Sequence, residues 1–170
     1  MRSSACVWLA VLFLMAGACA EVPLSTSKYN SAAKRFKRPP MDRTNIYVYE
    51  ASNGPKVTLY LDGTRVTTVV GYTFIVLPVR PGSHTLVAKL EGRRLPDPKN
   101  NKDAELEFYV GGGMNYFVEQ EVMGVGLLGL LDEGEVSLGQ VDTEQGKEGV
   151  RKCTLLADVP PALPPPVAPE

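Results

Sequence analysis

The sequence is poor in the side chains that most often hold metals or attack substrates. Its 170 residues include one histidine, His84, and three cysteines, Cys6, Cys19 and Cys153. A site built on several histidines is therefore excluded, and no two cysteines have ligand spacing. Cys153 has no second His or Asn beside it to suggest a nucleophile. No G-x-S-x-G turn occurs, which leaves a serine hydrolase without its usual signature. Excess charge is missing too: the net charge is −1, and nothing global points to nucleic acid. The apolar stretch near the start, Val7 to Met15, is too short to span a bilayer. No strand–helix–strand alternation appears, so a parallel nucleotide-binding sheet is not expected. Gly124, Gly126 and Gly129 do spell G-x-G-x-x-G, but "LLDEGEVSLG" follows where the fingerprint needs a helix. Neither nucleotide nor any other cofactor is expected. The acids Asp132, Glu133 and Glu135 lack EF-hand spacing, and no two carboxylates stand out as a glycosidase pair.

What is present begins with a targeting segment. Arg2 supplies a positive start, Val7 to Met15 the apolar stretch, and two cleavage patterns overlap after it. Ala18-Cys19-Ala20 fits release of a soluble chain beginning at Glu21. "MAGAC" resembles a bacterial lipobox, which makes Cys19 the lipidated first residue; several acyl chains on one cysteine hold firmly. Ala20 rather than Asp after that cysteine favours the outer membrane. The favoured division is a lipoprotein signal peptide over 1–18 and a basic tether with a possible short helix over 19–43. Lys28, Lys34, Arg35, Lys37, Arg38 and Arg43 stand there against Asp42 alone, a charge pattern suited to anionic lipid head groups. With Cys19 lipidated, Cys153 is a small buried hydrophobe; otherwise a Cys19–Cys153 disulfide is open.

From residue 44 the pattern has period two. "NIYVYE" is apolar and aromatic, and "VTLYLD" alternates Val57, Leu59 and Leu61 with Thr58, Tyr60 and Asp62. Asp62-Gly63 reads as a type I′ hairpin turn. Pro81-Gly82 makes a second turn, after which His84, Leu86, Ala88 and Leu90 share the inward side of a strand. His84 is thus expected to cap the core's edge, with one ring nitrogen toward backbone or water. Further strands are expected at "ELEFYV", "NYFVEQEV", "EVSLGQV" and "TLLADV", with Asp142 capping a short helix. About seven or eight short strands broken by Gly and Pro turns predict an all-β fold. The expected domain is an antiparallel β-sandwich over 44–157 with one or two short peripheral helices. Residues 158–170 form a proline-rich disordered tail. The loop "MGVGLLGLL" is unusually apolar. Leu127, Leu128, Leu130 and Leu131 are expected either to cover the open end of the sandwich or to contact a partner.

The run "IYVYE…VTLYLDGTRVTTVVGYTFIVLPVRPGSHTLVAKLEG", with "AKRFKRPP" before it and "GGMNYF" after it, resembles a bacterial lipoprotein family. That family is catalogued as the domain of unknown function twenty-eight forty-six. The "LDG…PG.H.L" core is also similar to extracytoplasmic sandwich repeats named for a Pro-Glu-Gly-Ala motif. The resemblance spans about residues 33–156. It implies a small β-sandwich on a lipid anchor and no assigned reaction. Glu50 departs from it, standing where an Arg is expected after Tyr-Val-Tyr.

The leading functional expectation is a lipid-anchored, non-enzymatic envelope lipoprotein that faces the periplasm and binds an envelope protein or glycan. The alternative is a secreted or surface carbohydrate-binding sandwich with Tyr47, Tyr49, Tyr60 and Tyr72 as an aromatic platform; a hydrolase comes third.

Overall fold

A computed structural model describes residues 22–91, 103–123 and 135–157. The described elements are α1 (Ser27–Ala33), β1 (Thr44–Glu50), β2 (Val57–Leu61), β3 (Thr64–Val69), β4 (Thr73–Val79) and β5 (Gly82–Leu90). They continue with β6 (Ala104–Val110), β7 (Asn115–Met123), β8 (Glu135–Val141), α2 (Thr143–Lys152) and β9 (Thr154–Leu155). Two sheets face each other, a five-stranded one in the order β8-β7-β1-β4-β9 and a four-stranded one in the order β3-β2-β5-β6. The protein is an all-β sandwich with two short helices, as expected. It is not antiparallel throughout: β1 runs parallel to β7, and β4 parallel to β9. Among the described residues no helix is long and apolar enough to cross a membrane.

The core between the sheets follows from strand alternation. Ile46 and Val48 of β1, Leu59 and Leu61 of β2, Ile75 and Leu77 of β4 and Leu86 and Ala88 of β5 all turn inward and are buried. The expected hairpin is there: β2 and β3 are joined by Asp62 and Gly63, with φ of +49° and +77°. Positive φ at both positions is what a type I′ turn requires.

A second core lies on the outer face of the five-stranded sheet. Tyr47, Tyr49, Phe74 and Phe117 point outward there, beneath Val150 and Cys153 of the α2 region. Strands β1 and β4 are therefore buried on both faces, which explains why they read as continuous apolar runs. Helix α2 starts where expected, with the Asp142 carboxylate accepting from the backbone N–H groups of Glu144 and Gln145. The Gln145 side chain does not return to the cap; it donates to Glu119 on β7 at 3.2 Å.

The expected tether over 19–43 requires correction across its described part. Residues 22–43 are folded onto the sandwich. Leu24 bridges Leu156, Ser25 N–H donates to the Leu155 carbonyl, and Ala157 N–H donates to the Pro23 carbonyl, so the free edge of β9 is covered. Helix α1 ends at Ala33, well before Pro39-Pro40. The chain then reverses at Phe36, whose φ is +49°. A bulky residue rarely occupies this region. Here packing holds it: the Phe36 ring lies 5.4 Å from that of Tyr47 and 5.8 Å from that of Phe117, with the Arg151 guanidinium 5.6 Å away. Tyr47 Oη donates to the Ala33 carbonyl, and Asn115 Nδ2 donates to the Phe36 carbonyl. The segment is held by apolar and aromatic contacts on the sheet, while Lys28, Arg35, Lys37, Arg38 and Arg43 stay exposed and Lys34 is half-buried.

Candidate functional site

Polar side chains gather at both ends of the sandwich. At one end, the β2–β5 register places Leu61 opposite Leu86, which brings the hairpin turn beside the start of β5. His84 is 4% exposed. Its Nδ1 lies 2.7 Å from Asp62 Oδ2 and its Nε2 lies 2.9 Å from the Arg80 carbonyl oxygen. The other Asp62 oxygen accepts from Thr85 N–H at 3.0 Å. Both ring nitrogens thus face protein oxygens. The ring ties the hairpin tip to the β4–β5 connection, and so joins the two sheets at this end. The backbone contact of His84 was legible in the sequence; its carboxylate partner was missed. The available signal was an Asp in a turn that antiparallel pairing returns to His84.

This geometry makes a measurable prediction. His84→Ala removes the ring that contacts the Arg80 carbonyl and the Asp62 carboxylate, and should lower unfolding free energy by about 2 kcal/mol. Asp62→Ala should cost less, since that side chain is 42% exposed and water can replace part of its contacts. The double variant should be more stable than the sum of the two losses implies. Urea unfolding measures all three; strict additivity would mean that the pair is not coupled.

At the other end lies a carboxylate that sequence reasoning flagged only as a departure from the family pattern. Glu50 follows Ile46 and Val48 on the inward side of β1 and is 0% exposed. Gln120 follows Val118 inward on β7. Its Nε2 donates to Glu50 Oε2 at 2.7 Å, and Ser52 Oγ donates to Oε1 at 3.3 Å. Burial raises the Glu50 carboxyl from the ordinary 4.5 to about 7; the bonds from Ser52 and Gln120 oppose the rise and Glu121 adds to it. Gln120 Oε1 is buried and has no hydrogen-bond partner among the described residues. On the strand's other side Cys153 Sγ lies 3.3 Å from the carbonyl oxygens of both Glu50 and Gly149. Burial pushes that thiol up to about 11, so it behaves as a buried hydrophobe and not as a nucleophile.

The remaining candidates separate in space. Pro81 lies in the bend between β4 and β5, and Gly82, with φ of +146°, is already the first residue of β5, opposite Val110. The four tyrosines do not form a platform. Tyr47 and Tyr49 are buried beneath the helices of the five-stranded sheet, whereas Tyr60 lies on the four-stranded one with Lys89 5.6 Å from its ring centroid. Tyr72 is exposed in the turn before β4. Alternation had grouped aromatic strand residues without separating the two sheets. Among the described residues no cluster of three or more His, Cys, Asp or Glu side chains could hold a metal. Cys19 and the leucines Leu127, Leu128, Leu130 and Leu131 lie outside the described residues, as do the leader over 1–18 and the tail over 158–170.

No family model matches the chain. The chain is similar to a protein of Haemophilus influenzae described as an uncharacterized protein. The two are 25% identical over 146 residues, covering 84% of this chain and 78% of that protein. The similarity brings with it no ligand, reaction or catalytic residue.

Proposed function

We propose that this protein is a lipid-anchored, non-enzymatic β-sandwich of the bacterial cell envelope, acylated at Cys19, facing the periplasm and binding another envelope component. The observation that carries the reading is the way the N-terminal segment meets the fold. Val22 already packs against the inter-sheet core, and residues 23–25 run hydrogen-bonded along β9. Val22 is three residue steps from Cys19, a reach of about 10 Å. An acyl anchor at Cys19 therefore holds the sandwich itself at the bilayer surface, without a stalk. The lipobox-like "MAGAC" and the family resemblance support the anchor, and Ala20 favours the outer membrane. The engagement of both His84 nitrogens supports a binding module over a hydrolase.

Expression in a Gram-negative host with an alkyne-tagged palmitate tests the anchor. Label and a matching mass increase are expected on a mature chain beginning at Cys19, and both should vanish in Cys19→Ala. An unlabelled mature chain beginning at Glu21 would overturn the reading. Crosslinking in intact cells then identifies the bound component.

A further inference from the structure

We infer that the β9 edge of the sandwich, together with α1 and the basic turn after it, rests on anionic phospholipid head groups. The inference relies on the envelope reading for the presence of a membrane, but described residues alone define the surface. On a loose tether the basic residues of 22–43 would be dispersed through solvent. The structure instead fixes them. Asn30 Oδ1 accepts from Leu155 N–H and holds α1 against β9, while Lys34 Nζ donates to the Arg151 carbonyl and sits 5.8 Å from the Phe74 ring centroid. Lys28, Arg35, Lys37 and Arg38 remain exposed around this docked segment.

Two apolar side chains are exposed with them. Leu24, on the segment that covers β9, is 56% exposed, and Tyr29 of α1 is 64% exposed. A purely polar partner gives these two nothing to bury against. A bilayer surface accommodates both kinds of group, because tyrosine sits at head-group level and basic side chains meet lipid phosphates. The acids of the same sheet face lie elsewhere. Glu119 and Glu121 lie further along β7, past the Asn115 end that holds the basic turn, and Glu119 accepts from Gln145. Glu144 and Glu148 of α2 are paired with Lys147 and Lys152. Basic charge thus runs from α1, held at β9, to the turn held at the start of β7, with Asp42 the one acid of residues 22–43. A short anchor and this basic segment, both on the five-stranded side, would hold the sandwich in a single orientation, with the four-stranded sheet turned away from the lipid.

The test uses the chain from residue 19 onward carrying Cys19→Ser, which has no acyl group and keeps every described residue. Cosedimentation with phosphatidylglycerol-containing vesicles should show binding that pure phosphatidylcholine vesicles do not. That binding should weaken at least tenfold at about 0.5 M salt, where screening is strong. Each basic residue near such a surface is worth about fivefold in affinity. The triple variant Arg35→Glu, Lys37→Glu, Arg38→Glu should therefore weaken binding by about a hundredfold or more, with its thermal unfolding unchanged. A control pair on the four-stranded sheet, Arg65→Glu with Lys89→Glu, should leave binding as it was. Equal binding to both lipids, an unaffected triple variant, or an equal loss in the control pair overturns the inference. So does binding to soluble polyphosphate without binding to vesicles, which would assign the surface to another polyanion. The outcomes are separable from acylation: a labelled Cys19 without lipid preference removes the surface and keeps the anchor, and the converse result does the reverse.

Discussion

Replacing Glu50 by Gln should make the protein more stable above pH 8, by about 3 kcal/mol, and should leave it nearly unchanged at pH 4. The carboxyl is fully buried on the inward side of β1, and burial raises it from 4.5 to about 7. A raised acid binds its proton more tightly in the folded protein than in the unfolded chain. The favourable contribution is therefore complete below pH 4.5, declines as pH rises from about 5, and is gone once pH has passed through 7 to about 8. The difference of roughly 2.5 units corresponds to about 3 kcal/mol, at 1.36 kcal/mol per unit. Gln keeps the shape and an oxygen to accept from Gln120 Nε2, and it cannot ionise. Thermal unfolding at pH 5 and pH 8.5 should show the native protein losing roughly 10 °C of midpoint between them. The Gln variant should lose little. The next groups up, Cys153 at about 11 and Tyr47 at about 12, titrate above this window. A native protein whose stability is flat across these pH values would mean that Glu50 is ionised at no cost, with its charge solvated in a way the Ser52 and Gln120 contacts do not provide.

The same residue marks where sequence reasoning stops. The alternation Ile46, Val48, Glu50 already puts an acid on the core side of a strand. Val118, Gln120, Val122 does the same for an amide 70 residues later. Neither pattern reveals its partner, because β1 and β7 are joined by parallel pairing across the whole intervening chain. Local signals were legible for the opposite reason. The Asp62-Gly63 turn, the inward His84 at the start of β5 and the Asp142 cap each depend on a few neighbouring residues and on backbone geometry that only certain side chains allow. The docking of residues 22–43 was lost between these cases. Basic composition and two prolines read as a solvated neck, and the one aromatic in the turn, Phe36, finds its partners Tyr47 and Phe117 only in the folded sheet. A clue was present in the runs "NIYVYE" and "YTFIVLPV". Strands apolar on both faces need cover on both faces, and among the described residues α1, α2 and their flanking turns provide it.

That cover depends on two glycines of α2, and Gly149→Ala should destabilise the protein by about 2 kcal/mol although it replaces glycine by the best helix former. On an exposed helix the same change stabilises by about 1 kcal/mol. Here the sign reverses for a steric reason. A methyl group at Gly149 would come within 2.8 Å of Tyr49 Oη and closer still to the ring carbons. One at Gly146 would come within 2.7 Å of Phe117 Cδ1 and closer still to Cβ and Cγ. Both rings are among the largest fully buried side chains and have no room to withdraw, because the sheet backbone lies behind them. The helix must therefore lift. That loosens its contacts with β1 and β7 and the seat of Val150, at the roughly 1–3 kcal/mol typical of overpacked sites, and more where the helix separates from the sheet. Gly139 of β8 supplies the comparison: a methyl group there meets nothing within 4 Å. Gly139→Ala should leave urea unfolding unchanged or shift it slightly upward. If Gly149→Ala instead matched Gly139→Ala, α2 would have to be a loosely held cover able to slide on its rings. Phe36, Lys34 and Arg151 would then be less firmly placed, and the basic edge would lose the support that α2 gives it.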